Sequence, residues 1–242
     1  MCVRMMTYEN PNEAEVLKAL WRPGAPLENT VFAILDPNCR PIARGARSPD
    51  WMFKDARDMA NGLNEVSRHY RGNADPQGLP VVDTVRLGMN VAACDKLPLA
   101  IVVSDNPQDR QALANKLAPL AWGIDFIGKL TYTAGSYSEL RAISGVRLNR
   151  GYLFVAPNEF GSQGVVTAQL DANASPRDLE MAMITAIDRY NPQFLEHQEH
   201  IRLGHQMGVS WTTLMPITDP HSPEYGTHGG SGGGGGGGGR YR

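Results

Sequence analysis

An uninterrupted apolar run at residues 97–104 sets the tightest limit on how this chain can fold. Its sequence, LPLAIVVS, does not alternate between apolar and polar residues, which is typical of a strand buried on both faces of a sheet. Asn106 and Pro107 follow directly, and proline suits the first position of a helix because its missing N–H has no partner there. The run therefore predicts an interior strand that leads into a helix.

Strands and helices continue to alternate after this helix. Ser136 and Glu139 have the spacing of a capping box, and Ser175 with Pro176 is a second helix-start signal. Apolar residues separated by Gly and Asn predict a hairpin. The predicted elements are a strand at 126–133, a short helix that starts at Ser136 and ends at Gly145, hairpin strands at 151–156 and 165–170, and a helix from Ser175-Pro176 to Tyr190.

This order, β-α-β-α-β-β-α over residues 97–190, resembles the thioredoxin fold and implies fold class α/β. The family carries Cys-x-x-Cys at the N-terminus of the helix that follows the first strand, where the helix dipole favours a thiolate. Here residues 104–110 contain no cysteine. Leu148-Asn149-Arg150-Gly151 stands where the family has a cis-proline. The resemblance therefore implies a complete module that lacks dithiol chemistry.

The N-terminal 20 residues resemble thioredoxin-like proteins of the Cys-x-x-Cys-x-x-Met type. Cys2-Val3-Arg4-Met5 matches the second cysteine of that motif and the residues after it. The resemblance implies that Cys2 is a resolving, catalytic cysteine whose attacking partner would lie upstream of Met1. The alternative is an ordinary amphipathic helix that happens to contain a cysteine.

Residues 31–72 repeat the hairpin-then-helix pattern. The pattern predicts a strand at 31–35 and a returning strand at 40–44 on either side of a turn. Thioredoxin-like hairpins often carry glycine where Cys39 stands, so the resemblance implies that Cys39 is exposed in the turn. Ser48-Pro49 then predicts one long helix that ends at Gly72. The family's middle strand and helix are missing before residue 31. A partial thioredoxin-like module in tandem with the complete one explains this pattern, and so does independent use of the same local signals.

These signals divide the chain into five regions. The last is a glycine-rich tail, which we expect to be disordered because it has no side chains to bury. The regions are a partial module at 1–72, a linker and lead-in helix at 73–96, the complete module at 97–190, a C-terminal helix and packed extension at 191–225, and the tail at 226–242.

Histidines and acids form the densest polar cluster of the sequence. A helix brings His197 and His200 to one face, with His205 nearby; Glu196 directly precedes His197, and Glu199 directly precedes His200. The spacing differs from His-Glu-x-x-His, and no cysteine is near. A solvated helix face is the favoured interpretation, and a metal site is the alternative. We predict no metal and no cofactor.

Two further groups have a structural and a functional interpretation. Asp105, Asp109 and Arg110 lie where the thioredoxin active site would be, but two acids argue against an anion site. We predict instead that Asp105 or Asn106 caps the helix and that Asp109 complements its dipole. Cys94 is predicted to be a small packed residue on the lead-in helix.

The net charge, the length of the apolar runs and the number of cysteines limit the classes of function that this chain can have. A net charge of −2 gives no reason to expect nucleic acid as a partner, and no apolar run is long enough to span a membrane. Three scattered cysteines form no disulfide framework and favour a reducing compartment such as the cytoplasm; an exported protein is the alternative if the N-terminus is truncated. We expect a binding or scaffolding module with a protein partner. The alternative is a thiol-disulfide oxidoreductase that uses Cys2.

Overall fold

Two compact units make up the part of the chain that the structure describes. The computed structural model describes residues 5, 7, 9–20, 31–36, 38–46, 48–70 and 78–209. The described residues up to 70 belong to one unit, which we call the hairpin unit, and residues 78–209 belong to the other, which we call the sheet unit. The predicted packed extension beyond α-helical residues 197–206 and the predicted disordered tail lie outside the described residues.

The described part of the hairpin unit contains two α-helices, a short 3₁₀ helix and a two-stranded sheet. Its elements are α1 (Pro11–Leu20), β1 (Phe32–Leu35), β2 (Pro41–Ala46) and α2 (Ala56–Ser67). β1 and β2 pair antiparallel, as predicted. The Asp36 carboxylate shapes the turn by accepting hydrogen bonds from the backbone N–H groups of Asn38 and Arg40, each at 2.8 Å. Cys39 is exposed in this turn with φ of 60°, a conformation that favours glycine.

The single long helix predicted from Ser48 to Gly72 is wrong. A 3₁₀ turn at Pro49–Trp51 follows Ser48, and α2 begins only at Ala56. The break occurs because Asp55 caps α2 anew: its carboxylate accepts a hydrogen bond from the backbone N–H of Asp58 at 2.8 Å. α2 ends at Ser67, before the predicted end.

The sheet unit is a mixed α/β structure. Its elements are β3 (Val81–Val82), α3 (Val85–Asp95), β4 (Leu99–Val103), α4 (Pro107–Ala121), β5 (Thr131–Gly135), a 3₁₀ helix (Tyr137–Ala142), β6 (Ile143–Ser144), β7 (Gly151–Pro157), β8 (Gly164–Asp171), α5 (Pro176–Arg189) and α6 (His197–Gln206).

These strands form one sheet in the order β3-β5-β4-β7-β8-β6. β3 with β5, β5 with β4, and β6 with β8 are parallel pairs, whereas β7 is antiparallel to both of its neighbours. β4 lies between β5 and β7 and all five of its residues are buried. The interior strand, the β7–β8 hairpin and the mixed α/β class are therefore confirmed.

Alternate residues of β4 face two different apolar layers. Ala100 and Val102 pack with α4 and α5, and Leu99, Ile101 and Val103 pack with α3. The helices supply the other half of each layer. Their innermost residues are Leu113, Leu117, Leu179 and Met183 on one side and Val85, Met89 and Ala92 on the other. A strand covered on both faces explains why its sequence shows no alternation.

Two predicted boundaries in the sheet unit are wrong. The strand predicted at 126–133 begins at Thr131. Phe126 is buried, but it lies in a turn in which its N–H donates to the carbonyl of Gly123, so an apolar residue here anchors a loop instead of extending the strand. The predicted short helix is a 3₁₀ helix that ends at Ala142 and leads into β6, before Gly145.

The sheet unit also includes residues before 97. β3 is only two residues long, so no periodicity reveals it, yet it pairs with β5 at the sheet edge. α3 begins after Thr84, whose hydroxyl accepts a hydrogen bond from the N–H of Leu87 at 3.1 Å. The predicted lead-in helix is thus an integral layer of this unit. No helix in the described ranges is long and apolar enough to cross a membrane.

Candidate functional site

The start of α4 corresponds to the position where the sequence resemblance places an active site. Asn106 is the N-cap, and its side-chain oxygen accepts hydrogen bonds from the N–H groups of Gln108 at 2.9 Å and Asp109 at 3.1 Å. The hydroxyl of buried Ser104 accepts a further hydrogen bond from the Asn106 N–H at 3.2 Å. Of the two predicted capping residues, Asn106 caps α4.

A bidentate ion pair covers the first turn of α4. Arg150 Nε donates to Asp109 Oδ2 at 2.7 Å, and Arg150 Nη2 donates to Asp109 Oδ1. The pKa of Asp109 lies below its usual value because of this hydrogen bond with Arg150, with a further contribution from the Ser104 hydroxyl. Asp109 thus has a specific charged partner as well as the helix dipole that we predicted for it.

Sequence reasoning missed this role of Arg150. Arg150 directly precedes β7, far from Asp109 along the chain. The antiparallel pairing of β7 with β4, in which Gly151 lies opposite Val103, brings the two ends together. No local motif indicates such a pairing. Arg110, also predicted at this site, donates from Nη1 to the Ser104 carbonyl at 3.0 Å and so braces the end of β4.

Two further carboxylates tie together the loops at the carboxyl ends of the parallel strands. Asp105 accepts a hydrogen bond from the Tyr137 N–H at 2.9 Å, which links the loop after β4 to the loop after β5. Glu139 accepts hydrogen bonds from the N–H of Ser136 at 2.9 Å and the N–H of Val85 at 3.5 Å, which links the latter loop to the start of α3. The carboxylates of Asp105, Asp109 and Glu139 therefore accept hydrogen bonds from other segments of the chain, and these bonds hold the loops at this end of the sheet together.

Among the described residues of the sheet unit, no thiol lies at the start of α4. The chain's cysteines are Cys2, Cys39 and Cys94. Cys2, the predicted catalytic residue, lies outside the described residues, and Cys39 belongs to the hairpin unit. Cys94 is at the C-terminal end of α3, at the opposite end of β4 from Asn106. Five strand residues at about 3.3 Å each separate those two ends.

The prediction that Cys94 is packed is wrong, because it is exposed. Val85, Met89 and Ala92 form the buried stripe of α3. Cys94 follows Ala92 by two positions, a turn of about 200° around the helix, and so faces away from the sheet.

No family model, curated protein or solved structure matches this chain. Its function is therefore inferred from its own residues.

The histidine cluster on α6 is divided between solvent and a packing contact. His197 and His205 are exposed, as predicted for a solvated face. His200 is half-buried, which corrects that prediction: its ring stacks on Phe160 with a centroid distance of 4.6 Å, and its Nε2 lies 3.2 Å from the Glu159 carbonyl oxygen. His200 thus docks α6 on the β7–β8 loop. Across the described ranges, no group of three His, Cys, Asp or Glu residues is placed to hold a metal ion.

Proposed function

We propose that the sheet unit is a thioredoxin-like module that acts by binding a protein partner and carries out no thiol-disulfide exchange of its own. This proposal rests mainly on which residues stand at the start of α4. Asn106 fills the N-cap position, and Asp109, at the third helical position, is engaged by Arg150. Neither side chain is a thiol, and an amide at the N-cap is not a nucleophile.

The element order supports the fold part of the proposal. β4, α4, β5, the 3₁₀ helix, β7, β8 and α5 follow one another in the order that the sequence resemblance implies. β4 and β5 are parallel, and β7 and β8 form an antiparallel hairpin that leads into α5. β3 and α3 precede this set in the same unit, and β6 adds a short outer strand.

The start of α4 directs backbone N–H groups toward the side chain at position 106. Two N–H groups already point at the Asn106 side chain. A thiolate at that position would accept the same two hydrogen bonds and would lie at the positive end of the helix dipole. This arrangement supports the thioredoxin-like part of the proposal, and the residue types present support structural capping in place of redox chemistry.

A pair of cysteine variants tests whether this framework is thioredoxin-like. In the double variant Asn106→Cys/Asp109→Cys, residues 106–109 become Cys-Pro-Gln-Cys. We expect a reversible disulfide between the two introduced thiols and measurable reduction of insulin in the presence of dithiothreitol. The matched control, Asn106→Ser/Asp109→Ser, should show neither. A double-cysteine variant with the wild-type circular dichroism spectrum but no disulfide would contradict the thioredoxin-like assignment.

The unmodified chain provides a second test, in the same insulin-reduction assay. We expect it to reduce insulin no faster than its Cys2→Ser variant, because exchange needs an attacking and a resolving thiol. Turnover that depends on Cys2 would instead support the oxidoreductase function.

A site-specific crosslink tests the binding part of the proposal. Tyr137 is 49% exposed beside the α4 start, and exposed aromatic residues are enriched at protein interfaces. A photo-crosslinking amino acid at position 137 should give a discrete covalent adduct with one protein in cells that produce this chain. The control position is Met181, which is 54% exposed on α5. Equal labelling at both positions, or no adduct at 137, would contradict a partner at this edge.

A further inference from the structure

A small cavity lies at the other end of the sheet unit, where α5 ends. Its volume is about 200 Å³, and Ala156 and Pro157 of β7 form an apolar wall. The polar residues that line it are Lys96, Glu159, Arg189, Tyr190, Asn191 and Gln193. Drug-sized ligands occupy pockets of about 300–1,000 Å³, so this cavity suits a smaller group.

Lys96 has a backbone conformation that a lysine rarely adopts. Its φ is 57°, in the left-handed region, and it directly follows α3. The Leu97 N–H donates to the Ala92 carbonyl at 2.9 Å, which completes a helix-ending motif usually built with glycine. A lysine at this position carries a conformational cost that glycine would avoid. An unfavourable backbone conformation at the rim of a cavity points to a role for the side chain.

The exposed side chain of Arg189 makes a hydrogen bond to the neighbouring strand. Its Nη1 donates to the Thr167 carbonyl of β8 at 3.2 Å. Among the described residues, this is the one acceptor that contacts the guanidinium. An arginine that is already oriented loses less side-chain entropy when it binds.

The cavity contains more positive than negative groups. Lys96 and Arg189 are its cations, and Glu159 is its one acid among the residues described. Asn191, Gln193 and Tyr190 also line the cavity, and their side chains carry amide and phenol groups that can donate hydrogen bonds. The Tyr190 phenol is protonated at neutral pH and can donate a hydrogen bond, and burial and then the Glu159 carboxylate raise its pKa further. Such a donor set matches an oxyanion.

We propose that this cavity binds a small oxyanion, such as phosphate or the phosphate group of a larger molecule, between Lys96 and Arg189. Glu159 borders the site and weakens binding by like-charge repulsion. The site is separate from the α4 start, because Lys96 precedes β4 whereas Asn106 follows it. The proposal of an oxyanion site therefore does not depend on the function proposed above.

Titration of the full chain with inorganic phosphate, followed by amide NMR at constant ionic strength, tests this site. Saturable shifts are expected for the amides of Lys96, Tyr190, Asn191 and Gln193. Lys96→Gly and Arg189→Gln should each weaken binding by about tenfold or more, since each removes a charged donor. Glu159→Gln should tighten binding. The control is Arg177→Gln in the first turn of α5, which should leave the affinity unchanged.

Lys96→Gly also separates binding from folding. Glycine accepts a φ of 57° without strain, so this variant should unfold at a higher urea concentration than the wild type while it binds phosphate less tightly. Non-saturating shifts, or affinities that respond equally to Arg177→Gln and Lys96→Gly, would overturn the proposal. A Glu159→Gln variant that binds phosphate less tightly than the wild type would overturn it as well.

Discussion

The described parts of the hairpin unit and of the sheet unit use the same local signals, but they bury their apolar side chains to different extents. Both contain an antiparallel hairpin and a helix capped by a short polar side chain, Asp55 in one and Ser175 in the other. In the sheet unit Leu153, Phe154 and Val155 are all 0% exposed. In the described part of the hairpin unit, every residue of β1 is half-buried and α2 has no buried residue.

This difference shows that capping and turn residues affect one property of a unit, the limits of its elements, whereas burial of apolar surface affects another, its stability. Capping groups and turn residues determine where helices and hairpins begin and end in both units. Removal of apolar surface from water, at about 25 cal/mol per Å², provides most of the stability of a folded unit. The sheet unit should therefore depend on its interior side chains, and the described elements of the hairpin unit should depend more on their turns.

The largest expected difference between the units comes from truncating one apolar side chain in each. Phe154→Ala should destabilise the sheet unit by about 3–5 kcal/mol, because it leaves a cavity in a closed core. Met59→Ala on the half-buried face of α2 should cost about 1 kcal/mol. Urea unfolding, with amide exchange to assign each transition to its unit, measures both. Similar costs for the two variants would show that the units do not differ in this way.

Two buried tyrosines of the sheet unit differ in whether the hydroxyl group has a hydrogen-bond partner. The Tyr152 hydroxyl donates to the Leu113 carbonyl at 3.2 Å, whereas the Tyr132 hydroxyl is the one buried side-chain polar atom with no partner in the described structure. Tyr152→Phe should cost about 1 kcal/mol, and Tyr132→Phe should be neutral or stabilise the unit by about 1 kcal/mol. Urea midpoints of the two variants compare them directly. Destabilisation by Tyr132→Phe would indicate a hydrogen bond to an internal water.

Cys39 tests the contribution of the turn to the hairpin unit. Cys39→Gly should stabilise the β1–β2 hairpin by about 0.5–1 kcal/mol, because glycine adopts a φ of 60° more readily, although its flexible unfolded state offsets part of the gain. Amide exchange of β1 and β2 reports this change, and Cys39→Ser controls for loss of the thiol. Faster exchange in the glycine variant would contradict the expected gain.

The smallest change is expected from the ion pair at the start of α4. Because the pKa of Asp109 is lowered in the folded state, its contribution to stability is present above the unfolded value near 3.8 and is lost as the pH falls through the folded value. Arg150→Gln should raise the pKa of Asp109, and carboxyl NMR titration measures the shift. Arg150→Lys should retain part of it. An unchanged pKa in Arg150→Gln would show that the ion pair does not cause the lowering.

The strongest sequence signals located the elements of the sheet unit but not all of their limits. The unbroken apolar run at 97–104 predicted β4, and Asn106-Pro107 and Ser175-Pro176 predicted the starts of α4 and α5. Phe126 was misassigned to a strand because burial of an apolar side chain does not distinguish a strand from a packed turn. The helix predicted from Ser48 was too long because its apolar spacing concealed the new cap at Asp55.

The sequence predicted only those features of the candidate site that depend on residues close together in the chain. Capping at Asn106 follows from the residues directly around it. The Asp109–Arg150 pair depends on the register between β4 and β7, and the cavity depends on Lys96 meeting the end of α5. Such long-range placements are determined by tertiary packing and leave no trace in local spacing.

The place of β4 in the sheet has a consequence for synthesis of the chain. One edge of β4 pairs with β5, which follows soon after it, but the other edge pairs with β7, about 50 residues later in the chain. At typical translation rates of about 5–20 residues per second, that second edge waits roughly 3–10 seconds for its partner. During this interval a fully apolar strand presents unpaired backbone groups, which can template aggregation. A nascent chain stalled before residue 151 therefore needs a chaperone more than the finished protein does.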